Sequence, residues 1–310
     1  MPSVLITGGT GLIGKNLTRH LTGKGYNVII VSRDPPALSD NPMVSYAAWN
    51  VREQTIDIDA IKKADFIVNL AGAGVMEKSW SEKYKKEITG SRTMSSELLV
   101  NALAANPNHV TAVISASAIG WYGSPTHSGS QKAFEESAPS AKDFLGETSR
   151  LWEESIEPVT RQGNRLVKLR IGIVLSNEGA AFAEFKKPLR FGIAVILGGG
   201  KQVISWIHID DLCRMFIYAI ENENLSGSYN AVAPQPVNNK TLMLKLAKLM
   251  RGQFFIPVHV PQFLLKLILG ERSTEILKSA TVSCEKIKAA GFTFLYPSID
   301  AALNELTNKK

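Results

Sequence analysis

The chain has 310 residues, 45% of them hydrophobic and 20% charged, with a mean hydropathy of zero. That composition buries roughly three quarters of the unfolded surface, which excludes both a disordered chain and a disulfide-dependent miniature fold. The formal charge of +7 permits an anionic partner; the two cysteines, Cys213 and Cys284, are too few for a secreted framework and too far apart for a CxxC metal site.

Residues 4–7 read as a buried strand, followed by a glycine turn and by Ile13, Leu17 and Leu21 at helical spacing, with Gly23 and Gly25 ending the helix. Further buried strands are expected at 28–31, 66–70, 110–115 and 166–174, and long helices at 80–105 and 144–161. Short strands apolar on both faces, alternating with helices, predict an α/β fold: a Rossmann-type doubly wound parallel sheet. After residue 175 the rhythm loosens, with helices expected at 210–222, 241–250, 261–269 and 298–306. Residues 1–175 and 206–233 are expected to form the dinucleotide-binding domain, and residues 176–205 and 234–310 a smaller C-terminal α/β domain on the substrate side.

The basic stretch Lys83, Lys85, Lys86 lies between Glu82 and Glu87 in a helical pattern and reads as a solvated face, so no specific nucleic-acid partner is expected. The apolar stretch 263–269 is short and broken by Lys266, so no membrane partner is expected either. The chain begins on a strand-like segment that leaves no room for a signal peptide, and a reducing, cytoplasmic setting is expected.

The segment Thr7-Gly8-Gly9-Thr10-Gly11-Leu12-Ile13-Gly14 places glycines at 8, 11 and 14 at the first strand-to-helix junction. Gly8 permits a tight turn, Gly11 lets backbone amides approach a pyrophosphate, and Gly14 lets the helix pack close to the strand. Cofactor contacts are expected from Gly8, Thr10, Gly11, Leu12 and Ile13. The end of the second strand then selects the cofactor. An NAD site needs a carboxylate there, whereas this chain has Ser32 and Arg33, suited to a 2′-phosphate. Asp34 falls two places past the strand end and reads as a turn residue before Pro35. NADP(H) is the expected cofactor.

The GxxGxxG spacing resembles the short-chain dehydrogenase/reductase superfamily, and TGGTGLIG resembles its extended, epimerase-type branch. Asn69-Leu70-Ala71-Gly72, Ser115-Ala116-Ser117 and Trp206-Ile207-His208-Ile209-Asp210-Asp211 are similar to three further signatures of that branch. SWSEKYKKEITGSR, FLGETSRLWEES, NAVAPQPVNN and AGFTFLYPS are similar to an atypical epimerase-like subgroup with its own C-terminal domain, sometimes labelled cell-division-inhibitor-like. The resemblance implies that Leu70 and Ala71 lie against the adenosine half of the cofactor, that Glu87 and Arg92 reach it, and that Val174 sits near the nicotinamide end.

The superfamily's usual chemistry uses a Tyr as acid/base, a Lys four residues later and a Ser that positions the substrate oxygen. No tyrosine here is followed by Lys at that spacing. Aligning the helix through residues 144–149 puts Leu145 in the Tyr position and Ser149 in the Lys position, leaving Ser117. Tyr122, just beyond it, is the other candidate for the chemistry. Ile204 stands where similar sugar-nucleotide epimerases carry a phosphate-holding Arg. His208 and Asp211 read as residues fixing their loop to the first domain. His20, His109, His127 and His259 show no metal spacing, and no metal is expected. The sequence thus implies an NADP-binding, oxidoreductase-like protein with a non-standard site acting on a small molecule, or a sensor or interaction protein that kept the cofactor fold and lost turnover. It leaves the oligomeric state open.

Overall fold

Strand β1 (Ser3–Thr7) turns Val4 and Ile6 to one side and Leu5 to the other, and all three are fully buried. A strand apolar on both faces has to be covered on both, which calls for a parallel sheet between two helical layers. The computed structural model describes residues 1–124 and 132–308, and it builds that arrangement. The chain continues through α1 (Leu12–Gly23), β2 (Asn27–Ser32), β3 (Val44–Asn50), β4 (Thr55–Ile56), α2 (Ile58–Lys63), β5 (Phe66–Asn69), α3 (Glu82–Ala105), β6 (Ala112–Ala118), α4 (Phe144–Ile156) and β7 (Arg165–Ile171). The second half runs β8 (Ile173–Leu175), α5 (Ala180–Leu189), β9 (Ile193–Leu197), β10 (Val203–Ile204), β11 (Trp206–His208), α6 (Ile209–Glu221), β12 (Gly227–Ala231), β13 (Val237–Asn238), α7 (Asn239–Arg251) and β14 (Ile256–Val260). Four helices follow: α8 (Gln262–Leu269), α9 (Arg272–Leu277), α10 (Glu285–Ala289) and α11 (Ile299–Asn308).

The main sheet has the order β12-β7-β6-β5-β1-β2-β3-β4, parallel throughout except for the β3–β4 pair. Val4, Ile6, Val28, Ile30 and Ile114 face the core under α1 and α6. Leu5, Ile29, Val31, Ile67 and Val113 face the core under α2 and α3. A third core joins Leu175 and Trp206 to residues of α5, β9, α7 and α11. No helix among the described residues is long and apolar enough to cross a membrane.

Several expected bounds shift for identifiable reasons. The strand expected at 166–174 breaks at Gly172, where the Ser205 carbonyl comes so close that a Cβ would lie 2.6 Å from its oxygen. β7 therefore stays in the main sheet, while β8 leaves to pair with β11. The helix expected to reach residue 161 is α-helical only to Ile156; the chain passes through Pro158 in a 3₁₀ turn that ends at Gly163 with φ of 88°. α3 starts after Ser81, whose hydroxyl accepts the Tyr84 N–H, two residues later than expected. The strand expected at 110–115 runs Ala112–Ala118. β3 and β12 carry polar residues among their apolar ones and escape a search for apolar runs.

A Cβ on Gly14 would lie 2.5 Å from Gly8 O and from Gly9 Cα, so α1 touches the β1 turn backbone to backbone. Gly14→Ala is accordingly expected to lower the unfolding free energy in urea by about 1–3 kcal/mol. Gly23→Ala, with nothing within 4 Å of the added carbon, is the matched control and is expected to be neutral or stabilising.

Candidate functional site: a dinucleotide cleft at the β1/β5 switch point

From β1 the chain builds outward through β2 and β3, then crosses back to place β5 on the other side of β1. The loops leaving β1 and β5 therefore diverge and open a crevice at the carboxyl ends of the strands, the usual ligand position in such sheets. Thr7, fully buried, ties its two lips together. Its hydroxyl donates to Asn69 Oδ1 at 2.8 Å and accepts the amides of Leu70 at 2.9 Å and Ala71 at 3.1 Å. The Asn69 amide group in turn donates to Ser96 and Ser115.

The glycine turn is built as its spacing requires. Gly8 has φ of +66° and its carbonyl accepts the Gly11 N–H at 3.0 Å. No side chain caps α1, so its first-turn amides face outward at the positive end of the helix dipole. A Cβ on Gly11 would meet only Gly8 O, at 3.3 Å. The turn fits a pyrophosphate. Beside it, β2 ends at Ser32, and Arg33 and Asp34 form the bend that follows; Arg33 is exposed and has no ion-pair partner among the described residues. Leu12 also lies against Gly179, in the loop after β8, and Val174 on β8 is half-buried and pairs with Ile207.

Arg92 and Glu87 differ in what they do. The Arg92 guanidinium is buried against the Trp152 ring, 5.0 Å from its centroid, and burial lowers its pKa to about 10. Its NH1 donates to the carbonyls of Ala73 and Ile88, so Arg92 holds the loop after β5 from beneath. Glu87 is half-exposed and lies 3.7 Å from Lys78 Nζ.

The candidates for the chemistry lie elsewhere than expected. Tyr122 does not project into the cleft: it is wholly buried, its hydroxyl donates to Asn230 Oδ1 at 2.7 Å and it accepts from Arg170 NH1 at 3.0 Å. Burial raises its pKa further from neutrality, with Arg170 opposing. Ser117 is also buried, and its hydroxyl donates to Glu153 Oε1 at 2.7 Å. Both belong to a buried polar network centred on the Glu153–Arg170 pair, at 2.7 and 3.1 Å, with Ser228 on the second Glu153 oxygen and the Trp121 ring 3.7 Å from the guanidinium. The first turns of α4 carry Leu145 and Ser149, both facing Gly120, where an added Cβ would lie 3.3 Å from Leu145 Cβ and 3.5 Å from Ser149 Oγ. Asp143 caps α4 through Oδ1 on the Gly146 amide, while its Oδ2 lies 3.1 Å from Lys278 Nζ of the C-terminal segment.

The segment containing His208 and Asp211 is a joint between the sheet and the C-terminal segment. His208 Nδ1 accepts the Asp210 N–H at the start of α6, which leaves the ring proton on Nε2, 3.0 Å from Glu305 Oε2. Asp211, fully buried, accepts the amides of Leu295 and Tyr296, both at 2.8 Å. His208, Asp210 and Glu305 bring ligand-type atoms within 4.8 Å of one another, a cluster that local spacing in the sequence cannot reveal. With Nδ1 accepting and Nε2 protonated, the imidazole offers no lone pair to a cation in this arrangement. His127 lies outside the described residues.

These features define a dinucleotide-binding Rossmann protein whose sheet is locked to a dedicated C-terminal segment. The family comparison agrees: the model of the NAD dependent epimerase/dehydratase family matches residues 4–232, and that of a domain of unknown function, DUF1731, matches residues 260–306. The chain belongs to that family, as an extended short-chain dehydrogenase/reductase with a DUF1731 segment. It is 35% identical to an epimerase family protein of Staphylococcus haemolyticus over 99% of both chains, and 33% identical to the epimerase family protein YfhF of Bacillus subtilis over 98% of this chain and 97% of that one. It is also similar to the human epimerase family protein SDR39U1 (isoform 2), whose structure was solved with NADPH, with a TM-score of 0.85 and 27% identity over 99% of this chain and 100% of the other.

Removing one partner of the buried pair leaves an uncompensated charge, so Arg170→Met is expected to cost about 3–5 kcal/mol in denaturant titration. Tyr122→Phe removes a buried hydroxyl that both donates and accepts, and is expected to cost about 1–2 kcal/mol. His208 is a pH sensor of stability. Burial, the largest cause, lowers its pKa below the ordinary 6.5, so the folded state binds fewer protons than the unfolded chain. Its contribution to stability is complete above about pH 6.5 and is lost as pH falls toward the folded value. Thermal unfolding followed between neutral and mildly acidic pH is expected to show a falling Tm that is flatter in His208→Gln.

Proposed function

We propose that the chain is an NADP-binding, oxidoreductase-like protein that acts on a small molecule presented at the nicotinamide end of the β1/β5 cleft. The observation that carries this reading is the end of β2. Ser32 stands where an NAD-preferring site needs a carboxylate, and Arg33 is exposed beside it with no ion-pair partner among the described residues. A guanidinium so placed pairs with a 2′-phosphate through charge-assisted hydrogen bonds. The human structure solved with NADPH supports the choice; MoeE5 and a UDP-glucuronic acid 4-epimerase from Bacillus cereus, at 19% and 18% identity, were solved with NAD.

Bound NADPH would supply a hydride. The protein's own part is to hold the pyrophosphate on the α1 amides, to fix the two lips of the cleft through Thr7 and Asn69, and to keep the loop after β5 in place through Arg92. Among the described residues, the positions that carry the superfamily's proton relay hold no acid/base pair. Leu145 cannot exchange a proton and Ser149 carries no charge, while Ser117 and Tyr122 are committed to the buried network. A proton for reduction has to come from another group or from water, and ordinary carbonyl or nucleotide-sugar substrates are expected to turn over about 10²–10⁴ more slowly than with a positioned acid. The same absence favours a second reading, a nucleotide sensor that binds NADPH without turnover.

NADPH is expected to bind more tightly than NADH by roughly tenfold to a hundredfold, the worth of one charge-assisted contact. Fluorescence titration of both cofactors checks this, and Arg33→Asp should shrink or invert the ratio; equal curves for the wild type would remove the argument from β2. A broad carbonyl screen with NADPH oxidation as readout separates the two readings, since the sensor predicts none.

A further inference from the structure

Strands β9 and β14 form a two-stranded parallel sheet. One of its faces, with Ala194 and Ile196, closes the third core. The other carries Ile193, Ile256 and Val258 into solvent, and Phe191 and Phe254 lie just ahead of the two strands, 83% and 87% exposed. Through Pro261, β14 leads straight into α8, where Leu265 is buried but Phe263 and Leu267, one turn apart, are 74% and 80% exposed. Scattered exposed apolar side chains are normal on a monomer. Here eight of the thirteen exposed large hydrophobics among the described residues lie on β9, β14, α8 or the residues just ahead of the two strands, a concentration that points to a contact surface.

The charge of the chain points to what the surface meets. Residues 176–205 and 234–310 carry fifteen Lys and Arg against seven Asp and Glu, a balance of +8, while the remainder carries twenty against twenty-one. The excess positive charge therefore lies in the same segments as the apolar surface. Arg190 directly precedes Phe191. Arg251 Nε donates to Leu189 O at 2.8 Å, which sets its guanidinium at the same end of the sheet as Phe254, and Lys266 lies on α8 between Phe263 and Leu267.

We propose that this bare apolar face, with its flanking basic side chains, docks on an anionic lipid surface, Phe191, Phe254, Phe263 and Leu267 entering the headgroup boundary and Arg190, Arg251 and Lys266 meeting the phosphates. The proposal departs from the expectation of no membrane partner, which rested on the lack of a spanning segment. A second copy of the chain fits the face less well, because Arg190, Arg251 and Lys266 of one copy would meet the same three cations of the other. Strand addition at the open edge of β14 is also disfavoured. Ile256 N–H and Val260 O bond toward β9, so Pro257 and His259 turn theirs to the open edge, where Pro257 has no N–H to give.

The test is co-sedimentation of the full chain with vesicles of phosphatidylcholine alone and of phosphatidylcholine with phosphatidylserine. The proposal expects retention on the phosphatidylserine vesicles that weakens with added salt. Phe254→Ser with Leu267→Ser should weaken it by roughly tenfold or more, and Lys266→Ser by roughly fivefold, with NADPH titration unchanged as proof of folding. Retention equal on both vesicle types, none on either, or retention untouched by these substitutions overturns the proposal. So does a concentration-dependent dimer in sedimentation equilibrium that the same substitutions abolish, which would assign the face to a second copy.

Discussion

The contact between the glycine turn and α1 sets everything that follows from β1. Because Gly14 lets the helix backbone lie against Gly8 and Gly9, the first turn of α1 is brought directly over the end of the strand. Its unpaired amides then converge on one small volume instead of being spread along the rim. The neighbouring strands complete the volume by topology alone: β2 delivers Ser32 and Arg33 on one side, and β5 delivers Leu70 and Ala71 on the other. Thr7 fixes the spacing between the lips with a single hydroxyl that serves three partners. Side chains are nearly absent from this construction, which is why it depends so heavily on glycine.

The second organising element is the joint at β11 and the start of α6. His208 and Asp211 lie three positions apart in one short segment, yet they reach Glu305 and the Leu295–Tyr296 backbone, far along the chain. Ser205 adds a third tie, donating to Ala280 O and accepting from Val282 N. The motif that resembles a family signature thus acts here as a clamp on the C-terminal segment, with Asp211 held by backbone amides and Arg214, Asp210 beside His20, and His208 on Glu305.

How legible these parts were in the sequence follows from what fixes them. The glycine turn and the β2 end were readable because the constraint is local: backbone conformation and close approach need specific residues at fixed spacing. The doubly wound sheet was readable because burial on both faces leaves runs such as Val28–Val31 without polar residues. The network of Glu153, Arg170, Tyr122 and Asn230 was not, because its members come from four separate elements and each charge, taken alone, looks solvated. One signal was present: Glu153 sits between Trp152 and Ile156 on the buried side of α4, where a carboxylate has to have a partner. Tyr122 was misplaced for the same reason, since proximity in sequence to Ser117 says nothing about which way a buried phenol is drawn.

Asp143 carries a consequence for how such chains are assembled. One of its oxygens starts α4 and the other holds Lys278, whose side chain is only 9% exposed, so the helix bearing Leu145 and Ser149 shares a carboxylate with the DUF1731 segment. Exchanging C-terminal segments between relatives is therefore not a modular operation. A chimaera whose donor segment lacked a cation at position 278 would lose this tie between α4 and the segment, while one that kept Lys278 without an acid at position 143 would leave a nearly buried ammonium with Glu275 alone, so the two positions have to travel together.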